Sequence, residues 1–482
     1  MHLPKTLSAL RASGYTPRTL REELRSNLIA RLAEGTPLFS GVIGYDDTVI
    51  PQVQRALLAG HSMNLLGLRG QAKTRMARGL VELLDEWVPV VPGSPLNEDP
   101  LAPVLAATQA ALAEAGDDAP VAWLHRSERY VEKLATPDVS VADLIGDVDP
   151  IRAANLRIDY SDERAIAFGL VPRSHRCIFT INELPDLQPR IQVALFNILQ
   201  EGDVQIRGFR LRLALDIQFV FTANPEDYTS RGAIITPLKD RIQSQILTHY
   251  PTSVEDGMAI TQQEAADSAR RVRVPALLSE LIERVAIAAR DSEYIDAKSG
   301  VSARMTITAF EHLVASAELR AFSSGTTAQV RMTDLLAILP AVTGKVELVY
   351  EGEQEGPEAV AHHLLGKAIR AKFPEVFPDP ELIRRRKLED VYAPIVAHVA
   401  SAGVEVLTSD APEAYRGRLG EVPGLAALVH RYADPAAEDL DVWMEFVLHG
   451  LAEHNLIGKE VVGQEVSFSD LMSGLFAADD EA

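Results

Sequence analysis

One short stretch, residues 67–74 (GLRGQAKT), constrains the fold of this chain more than any other. The apolar run of residues 62–66 predicts a buried strand before it, and Met76, Leu80 and Trp87 recur after it at helical spacing. In a strand–turn–helix of this kind, glycines let backbone N–H groups close around phosphate oxygens, and the helix N-terminus favours their negative charge. The stretch therefore predicts a phosphate-binding loop.

The residue types in this loop predict which groups bind a nucleotide and its metal ion. Lys73 would reach the β- and γ-phosphates of ATP, and the Thr74 hydroxyl would ligate Mg²⁺. The adenine is expected at Val42 and Ile43, in the turn before the preceding helix. Ala72 departs from the usual pattern, which has its last glycine there. The full set of expected nucleotide-binding residues is Gly67, Gly70, Gln71, Ala72, Lys73, Thr74, Val42 and Ile43.

Length and composition indicate a globular chain of about two to four domains. The 482 residues are 47% hydrophobic and 24% charged, as is typical of soluble proteins. With 47 basic and 68 acidic residues the net charge is −21, which argues against a nucleic-acid partner bound through a general surface field. The single cysteine, Cys177, suits a reducing compartment, and neither a signal peptide nor a bilayer-spanning stretch is visible. We expect a cytoplasmic protein without membrane insertion.

Polar side chains follow two further apolar runs, at the points where the predicted strands end. Residues 176–181 lead into Asn182 and Glu183, and residues 218–223 lead into Asn224. Open α/β sheets bind their ligands at the carboxyl ends of the strands. We therefore expect these side chains to lie near the phosphate-binding loop, although each alone would be an ordinary strand end or turn.

The pattern of the remaining segments predicts an α/β core followed by helices. Residues 1–35 are expected to form a helical lead-in, and residues 36–254 an αβα core with a parallel sheet. Residues 255–345 are expected to form an all-helical lid. A further helical region of unknown role would occupy residues 346–482.

Two hairpins are predicted as insertions in the core. The first would span residues 156–171 and the second residues 204–215, which alternate around Gly208. The second carries a locally basic and aromatic group of side chains, which is either a loop facing a pore or partner or a solvated edge hairpin. Its members are Arg207, Phe209, Arg210 and Arg212.

The ordered set of motifs resembles the AAA+ ATPases, and within them the branch of the MoxR-type ATPases and the magnesium chelatase I subunit. The similarity covers roughly residues 38–325. Besides the Ala-Lys-Thr loop ending, it rests on four stretches in the same order as in the family. These are GLVP at 169–172, IFTINEL at 178–184, QEGDVQI at 200–206 and TANPE at 222–226.

The resemblance implies a catalytic role for several single residues. Glu183 would polarise the attacking water, and Asn224 would orient it as a first sensor. Arg241, in PLKDRI at 237–242, resembles the arginine finger that reaches a neighbouring subunit. Arg304, in SGVSAR at 299–304, resembles the second sensor of the lid, and Arg231 is a further candidate at the subunit interface.

Asn182 departs from the family pattern, which has Asp before the catalytic glutamate. That aspartate holds the hydration shell of Mg²⁺ in the family. An amide oxygen still accepts a hydrogen bond from metal-bound water, but the negative charge is missing. We assign Thr74 and Asn182 to the metal and expect slower hydrolysis or weaker Mg²⁺ binding.

The resemblance implies a ring-forming remodelling ATPase of the MoxR type, with a hexamer as the usual assembly. The partner would be a protein with a von Willebrand factor type A domain. Three other functions stay open: the motor subunit of a metal chelatase, an ATP-binding scaffold with little hydrolysis because of Asn182, and a DNA helicase. The acidic charge and the absence of a zinc-binding cysteine cluster lower the helicase hypothesis.

Overall fold

The computed structural model describes residues 3–159, 162–201, 203–205, 212–225, 233–463 and 465–471. The chain divides into two compact units, residues 1–249 and residues 250–482. Each unit has its own hydrophobic core.

The first unit is built on a five-stranded parallel sheet in the order β11 (Ser244–Leu247), β1 (Met63–Leu66), β10 (Ile217–Ala223), β7 (Cys177–Asn182) and β4 (Tyr130–Leu134). Strands β7 and β10 are buried along their whole length, because helices cover both faces of the sheet. In chain order the strands are β1 (Met63–Leu66), β2 (Trp87–Val90), β3 (Ala122–His125), β4 (Tyr130–Leu134), β5 (Gly146–Val148), β6 (Ile166–Phe168), β7 (Cys177–Asn182), β8 (Asp203–Gln205), β9 (Arg212–Ala214), β10 (Ile217–Ala223) and β11 (Ser244–Leu247).

Helices pack on both faces of this sheet and make three layers. Their bounds are α1 (Leu7–Ala12), α2 (Leu20–Ala33), α3 (Val49–Leu58), α4 (Lys73–Gly79), α5 (Ala106–Ala115), α6 (Val141–Leu144), α7 (Pro150–Leu156), α8 (Leu170–Arg173), α9 (Pro189–Glu201) and α10 (Thr236–Arg241). On one face Leu24 of α2 and Met76 of α4 pack in a core with Val220. On the other face Leu195 of α9 packs in a core with Phe219. The predicted αβα core with a parallel sheet is confirmed.

Two local predictions in this unit are wrong. Helix α4 ends at Gly79 and a 3₁₀ turn follows, so that Trp87 begins β2, which pairs antiparallel with β3. Among the described residues of 156–171 the one strand is β6, which pairs with β5 and not within the segment, and α7 lies between the two strands. The side chain of Asp149 accepts hydrogen bonds from two backbone N–H groups at the start of α7, which fixes a helix there.

The second predicted hairpin is present as the antiparallel pair of β8 and β9. Arg207, Phe209 and Arg210 lie outside the described residues, and Arg212 is in β9. That this hairpin faces a pore or partner stays a prediction.

A buried ion pair fastens the N-terminal helices to the sheet. The Arg129 guanidinium, just before β4, donates to both carboxylate oxygens of Glu23 on α2 at 2.6 and 2.7 Å. Its Nε donates to the Arg176 carbonyl at 3.0 Å. The side chains of Arg129 and Glu23 are only 0% and 4% exposed, so neither charge has water as an alternative partner. The N-terminal helices are therefore part of the folded core.

We expect Arg129→Met to destabilise the first unit by about 3–5 kcal/mol, because it leaves the Glu23 carboxylate buried without its partner. Urea denaturation followed by tryptophan fluorescence measures the loss. Arg11→Met is the matched control, since Arg11 pairs with Asp117 on the surface and such pairs contribute about 0–1 kcal/mol. Equal effects of the two substitutions would contradict the assigned role of the buried pair.

The second unit consists of helices with one small sheet. Its core is a single cluster that extends from Ala265 to Phe468. The helices are α11 (Val254–Glu264), α12 (Ala266–Arg271), α13 (Ala276–Arg290), α14 (Ala303–Ser324), α15 (Leu339–Thr343), α16 (Tyr350–Glu355), α17 (Pro357–Val376), α18 (Pro380–Arg386), α19 (Ala393–Ala402), α20 (Pro412–Gly420), α21 (Leu425–Tyr432) and α22 (Leu440–Glu453).

The small sheet in this unit was not predicted from the sequence. Strands β12 (Val404–Val406), β13 (Gly458–Val462) and β14 (Glu465–Ser469) form an antiparallel sheet in the order β12–β14–β13. Strands this short give too few residues for alternation to stand out. Across the described ranges of both units, no helix combines the length and apolar character needed to cross a bilayer.

Candidate nucleotide-binding site

The loop between β1 and α4 has the backbone shape that its sequence predicts. Gly70 and Ala72 both adopt left-handed conformations, with φ of 73° and 53°. A Cβ atom at Gly67 would overlap the Thr248 hydroxyl and the Gln71 carboxamide, so only glycine fits there. Ala72 adopts the left-handed backbone that the usual glycine would favour, at a cost of about 1–2 kcal/mol. The alanine in this position therefore still has a left-handed backbone.

Lys73 points into the loop and is buried. Its ammonium group donates to the carbonyl oxygens of Gly67 and Leu68, the latter at 2.8 Å, and to Oδ1 of Asn224 at 2.7 Å. Only 8% of Lys73 is exposed. A cation held among oxygen atoms at the mouth of a loop of left-handed residues is placed to exchange these partners for phosphate oxygens.

The ends of β7 and β10 bring Asn224 and Glu183 together. The Asn224 amide nitrogen donates to the Glu183 carboxylate at 2.9 Å, while its oxygen accepts from Lys73. Glu183 is half-buried and left-handed, with φ of 55°. The three side chains thus form one hydrogen-bonded line from the loop to the edge of the sheet, and their binding and catalytic roles stay predictions.

Asn182 is hydrogen-bonded through both ends of its amide. Its nitrogen donates to the Glu132 carboxylate on β4 at 2.5 Å, and its oxygen accepts from the Thr222 hydroxyl at 3.0 Å. The same hydroxyl accepts from the backbone N–H of Glu183 at 3.2 Å. Asn182 therefore holds the neighbouring strands and the backbone of Glu183 together.

Glu132 is a residue of this site that was not predicted from the sequence. It lies on β4, a strand that was not predicted, and pairs with Arg78 of α4 through two hydrogen bonds of 2.8 and 3.1 Å. Its charge and hydrogen bonds raise the pKa of the Arg78 guanidinium. The aromatic and β-branched residues at 130–131 are the one signal that could have indicated the strand.

The segment expected to hold the adenine lies beside the loop. The Tyr45 hydroxyl is 3.1 Å from the Gln71 carbonyl and 2.7 Å from the His249 carbonyl. Val42 and Ile43, just before it, are half-buried. Their contact with the base stays a prediction.

The three arginines singled out in the sequence lie at different points of the chain. Arg241 ends α10, where its guanidinium donates to Asp240 at 2.5 Å and lies 4.4 Å from the centre of the Phe196 ring. Arg304 is an exposed residue at the start of α14 in the second unit. Arg231 lies outside the described residues. The catalytic roles of these arginines stay predictions.

The residues present fit Mg²⁺ held mainly by phosphate. Within the described ranges, no group of three or more His, Cys, Asp and Glu side chains could hold a metal ion by itself. Mg²⁺ in nucleotide sites needs few protein ligands, because phosphate oxygens and water supply the others. Thr74 is half-buried in the first turn of α4, and the Asn182 oxygen has a second lone pair besides the one used by Thr222.

Fold and site together define an α/β protein with a glycine-containing loop between β1 and α4. No protein-family model matches the chain. The chain is similar to a solved structure from Cytophaga hutchinsonii, provisionally described as an ATPase, at 16% identity over 74% of this chain and 98% of that one, with a TM-score of 0.31.

Two further solved structures are similar to the chain. The complex of subunits BchI and BchD of magnesium chelatase has 21% identity over 66% of this chain and 98% of that one, with a TM-score of 0.33. The RuvB Holliday junction branch migration motor of Thermotoga maritima has 11% identity over 95% and 93%, with a TM-score of 0.33. Similarities this weak carry no argument about activity or branch, so the functional argument rests on the geometry of this chain.

Proposed function

We propose that this protein binds ATP with Mg²⁺ at the loop of residues 67–74 and hydrolyses it to ADP and phosphate. The observation that carries the proposal is the hydrogen-bonded line of Lys73, Asn224 and Glu183, with distances of 2.7 and 2.9 Å. This line joins a phosphate-binding cation to a carboxylate through an amide that orients both. A hydrolase needs a binding group and a base in such proximity.

Each residue of the line has a distinct task in this reaction. Lys73 and the loop N–H groups bind the β- and γ-phosphates in place of the loop carbonyls. Glu183 holds a water molecule for attack on the γ-phosphorus and accepts its proton as the bond to ADP breaks. Asn224 keeps the Glu183 carboxylate turned towards the loop. Mg²⁺, held by Thr74 and Asn182, would neutralise the charge that gathers on the phosphates.

The proposal extends to a ring-forming motor of the MoxR type that remodels a protein partner in the cytoplasm. Its support is Arg241, whose guanidinium is oriented by Asp240 and the Phe196 ring at the end of α10. An arginine that completes the site of a neighbouring subunit makes turnover depend on assembly. The hexamer, the partner with a von Willebrand factor type A domain and the sensor role of Arg304 rest on the resemblance.

Mixing two inactive variants tests both the activity and the assembly. ATP hydrolysis per subunit should rise with protein concentration in the wild type, and both Glu183→Gln and Arg241→Ala should be nearly inactive. An arginine finger contributes about 10³–10⁵ in rate. An equimolar mixture of the two variants should regain activity, because an intact Arg241 then faces an intact Glu183 at some interfaces. Lys239→Ala, an exposed cation on the same helix, is the matched control.

The results separate the remaining functions. Activity that is linear in concentration, without complementation in the mixture, would contradict the ring. ATP-dependent assembly without turnover would support the scaffold. Turnover leaves the chelatase motor open, and stimulation by a tetrapyrrole-binding partner rather than a type A domain protein would identify it.

A further inference from the structure

Glu132 places a carboxylate next to the position where the AAA+ pattern has one and this chain has Asn182. On β4 and β7, Leu134 is the register partner of Asn182 and Glu132 that of Thr180, so Glu132 and Asn182 lie on one face of the sheet. Helix α4 covers the same face, since Arg78 reaches Glu132. This carboxylate is 23% exposed. The face that carries the candidate metal site therefore has an acid, displaced by one strand.

A series of hydrogen bonds connects this acid to the candidate base. Glu132 accepts from the Asn182 amide nitrogen, whose oxygen accepts from Thr222. The Thr222 hydroxyl in turn accepts from the backbone N–H of Glu183. Every donor in the series has one acceptor, and the orientation of each group fixes the next. A displacement of Glu132 would consequently also shift the backbone of Glu183, which is left-handed.

Only an amide at position 182 can complete this series of hydrogen bonds. An ionised carboxylate accepts hydrogen bonds and donates none, so the atom of residue 182 that faces Glu132 has to be a donor. Aspartate at this position would set two carboxylates about 2.5 Å apart, the present distance from the amide nitrogen to Glu132. The asparagine is therefore the partner that Glu132 demands, and it is not by itself a sign of a lost activity.

We propose that Glu132 and Asn182 divide between two strands the task of the single aspartate of the family. Glu132 supplies the negative charge that favours Mg²⁺, and Asn182 is the neutral positioning residue that links this charge to Thr222 and Glu183. The inference rests on the proposed ATP and Mg²⁺ binding. It predicts that residues 132 and 182 tolerate exchange of acid and amide together but not singly.

Four variants test the exchange: Glu132→Gln, Asn182→Asp, the double variant, and Glu128→Gln as an exposed acid control on the same segment. The readout is the dissociation constant of ATP, measured by calorimetry with MgCl₂ and again with EDTA. Each single site variant should weaken binding in MgCl₂ by about tenfold, within the range of coupling energies for residues in contact. Binding in EDTA should not change. The double variant should bind within about threefold of wild type in MgCl₂.

The outcomes separate this inference from the proposed function. Losses that simply multiply in the double variant, or Asn182→Asp binding more tightly than wild type, would overturn the exchange. Glu132→Gln that behaves like Glu128→Gln would overturn it as well. Absence of ATP binding by the wild type in both solutions would instead overturn the proposed function, and the inference with it.

Arg78→Met distinguishes the metal role from a purely structural ion pair. If Glu132 served only to hold Arg78, this variant would reproduce the effect of Glu132→Gln on Mg²⁺-dependent binding. The exchange predicts that Arg78→Met does not reproduce this effect. Removal of the Arg78 charge leaves the Glu132 carboxylate and its hydrogen bond to Asn182 in place. Thermal unfolding of every variant checks that the first unit is folded.

Discussion

Glu183→Gln is expected to lower the turnover of ATP by about 10²–10⁴ while ATP binding stays unchanged. Glutamine keeps the size of the side chain and an oxygen that accepts the 2.9 Å hydrogen bond from Asn224. The line to Lys73 is thereby preserved, and only the ability to take a proton from water is lost. Phosphate release at saturating ATP and Mg²⁺, together with the dissociation constant of ATP, measures the two effects separately.

Glu82→Gln is the control for this substitution. Glu82 is an acid of the first unit with 52% of its side chain exposed, and it pairs with Arg126 at 3.4 Å. Its replacement should leave both turnover and binding as in the wild type. Turnover retained in Glu183→Gln would remove the residue from the role of base and point to another carboxylate of the site, of which Glu132 lies nearest in the hydrogen-bonded series.

Lys73→Met is expected to weaken ATP binding by about 10- to 100-fold. A hydrogen bond that involves a charged group contributes about 1.5–3 kcal/mol, and about 1.4 kcal/mol corresponds to a factor of ten. Methionine retains the length of the buried stem but removes the charge that would bind phosphate. Calorimetric titration with ATP and with adenosine measures the loss, which should be large for ATP and small for adenosine because adenosine has no phosphate for Lys73 to bind.

Arg75→Met provides the charge control on the same helix. Arg75 is exposed, so its removal changes the general field at α4 by the same unit charge without altering the buried side chains of the loop. An equal loss of ATP affinity in the two variants would show that the field alone matters. Equal losses for ATP and adenosine in Lys73→Met would show that the loop had collapsed and that no specific phosphate contact was removed.

Engagement of Asn182 on both sides changes how its departure from the family pattern is understood. From sequence alone, the missing acid predicts weak Mg²⁺ binding or slow hydrolysis. In the structure an acid is present on the next strand, and Asn182 donates to it. If Glu132 has the role proposed above, the scaffold hypothesis loses part of its basis, because an acid then stands on the strand next to Asn182.

The sequence by itself determined the core of the fold and the groups at its centre. Local spacing was sufficient for β1, β7 and β10, because each is a strongly apolar segment with a clear boundary, whereas for α4 it predicted the start of the helix and not its end. The polar residues that end the strands were assigned to one edge because carboxyl ends of parallel strands meet there. Lys73, Asn224 and Glu183 do lie in one hydrogen-bonded line.

Only the tertiary structure decided which side chains meet across strands that are distant in the chain. Glu132 and Asn182 are 50 residues apart, and their contact depends on the register of β4 beside β7, which no local pattern encodes. The ion pair of Glu23 and Arg129 spans 106 residues for the same reason. Periodicity reports the environment of one segment at a time, whereas partner identity is set by the order of the strands in the sheet. The contact between Glu132 and Asn182 was therefore not predictable from the sequence.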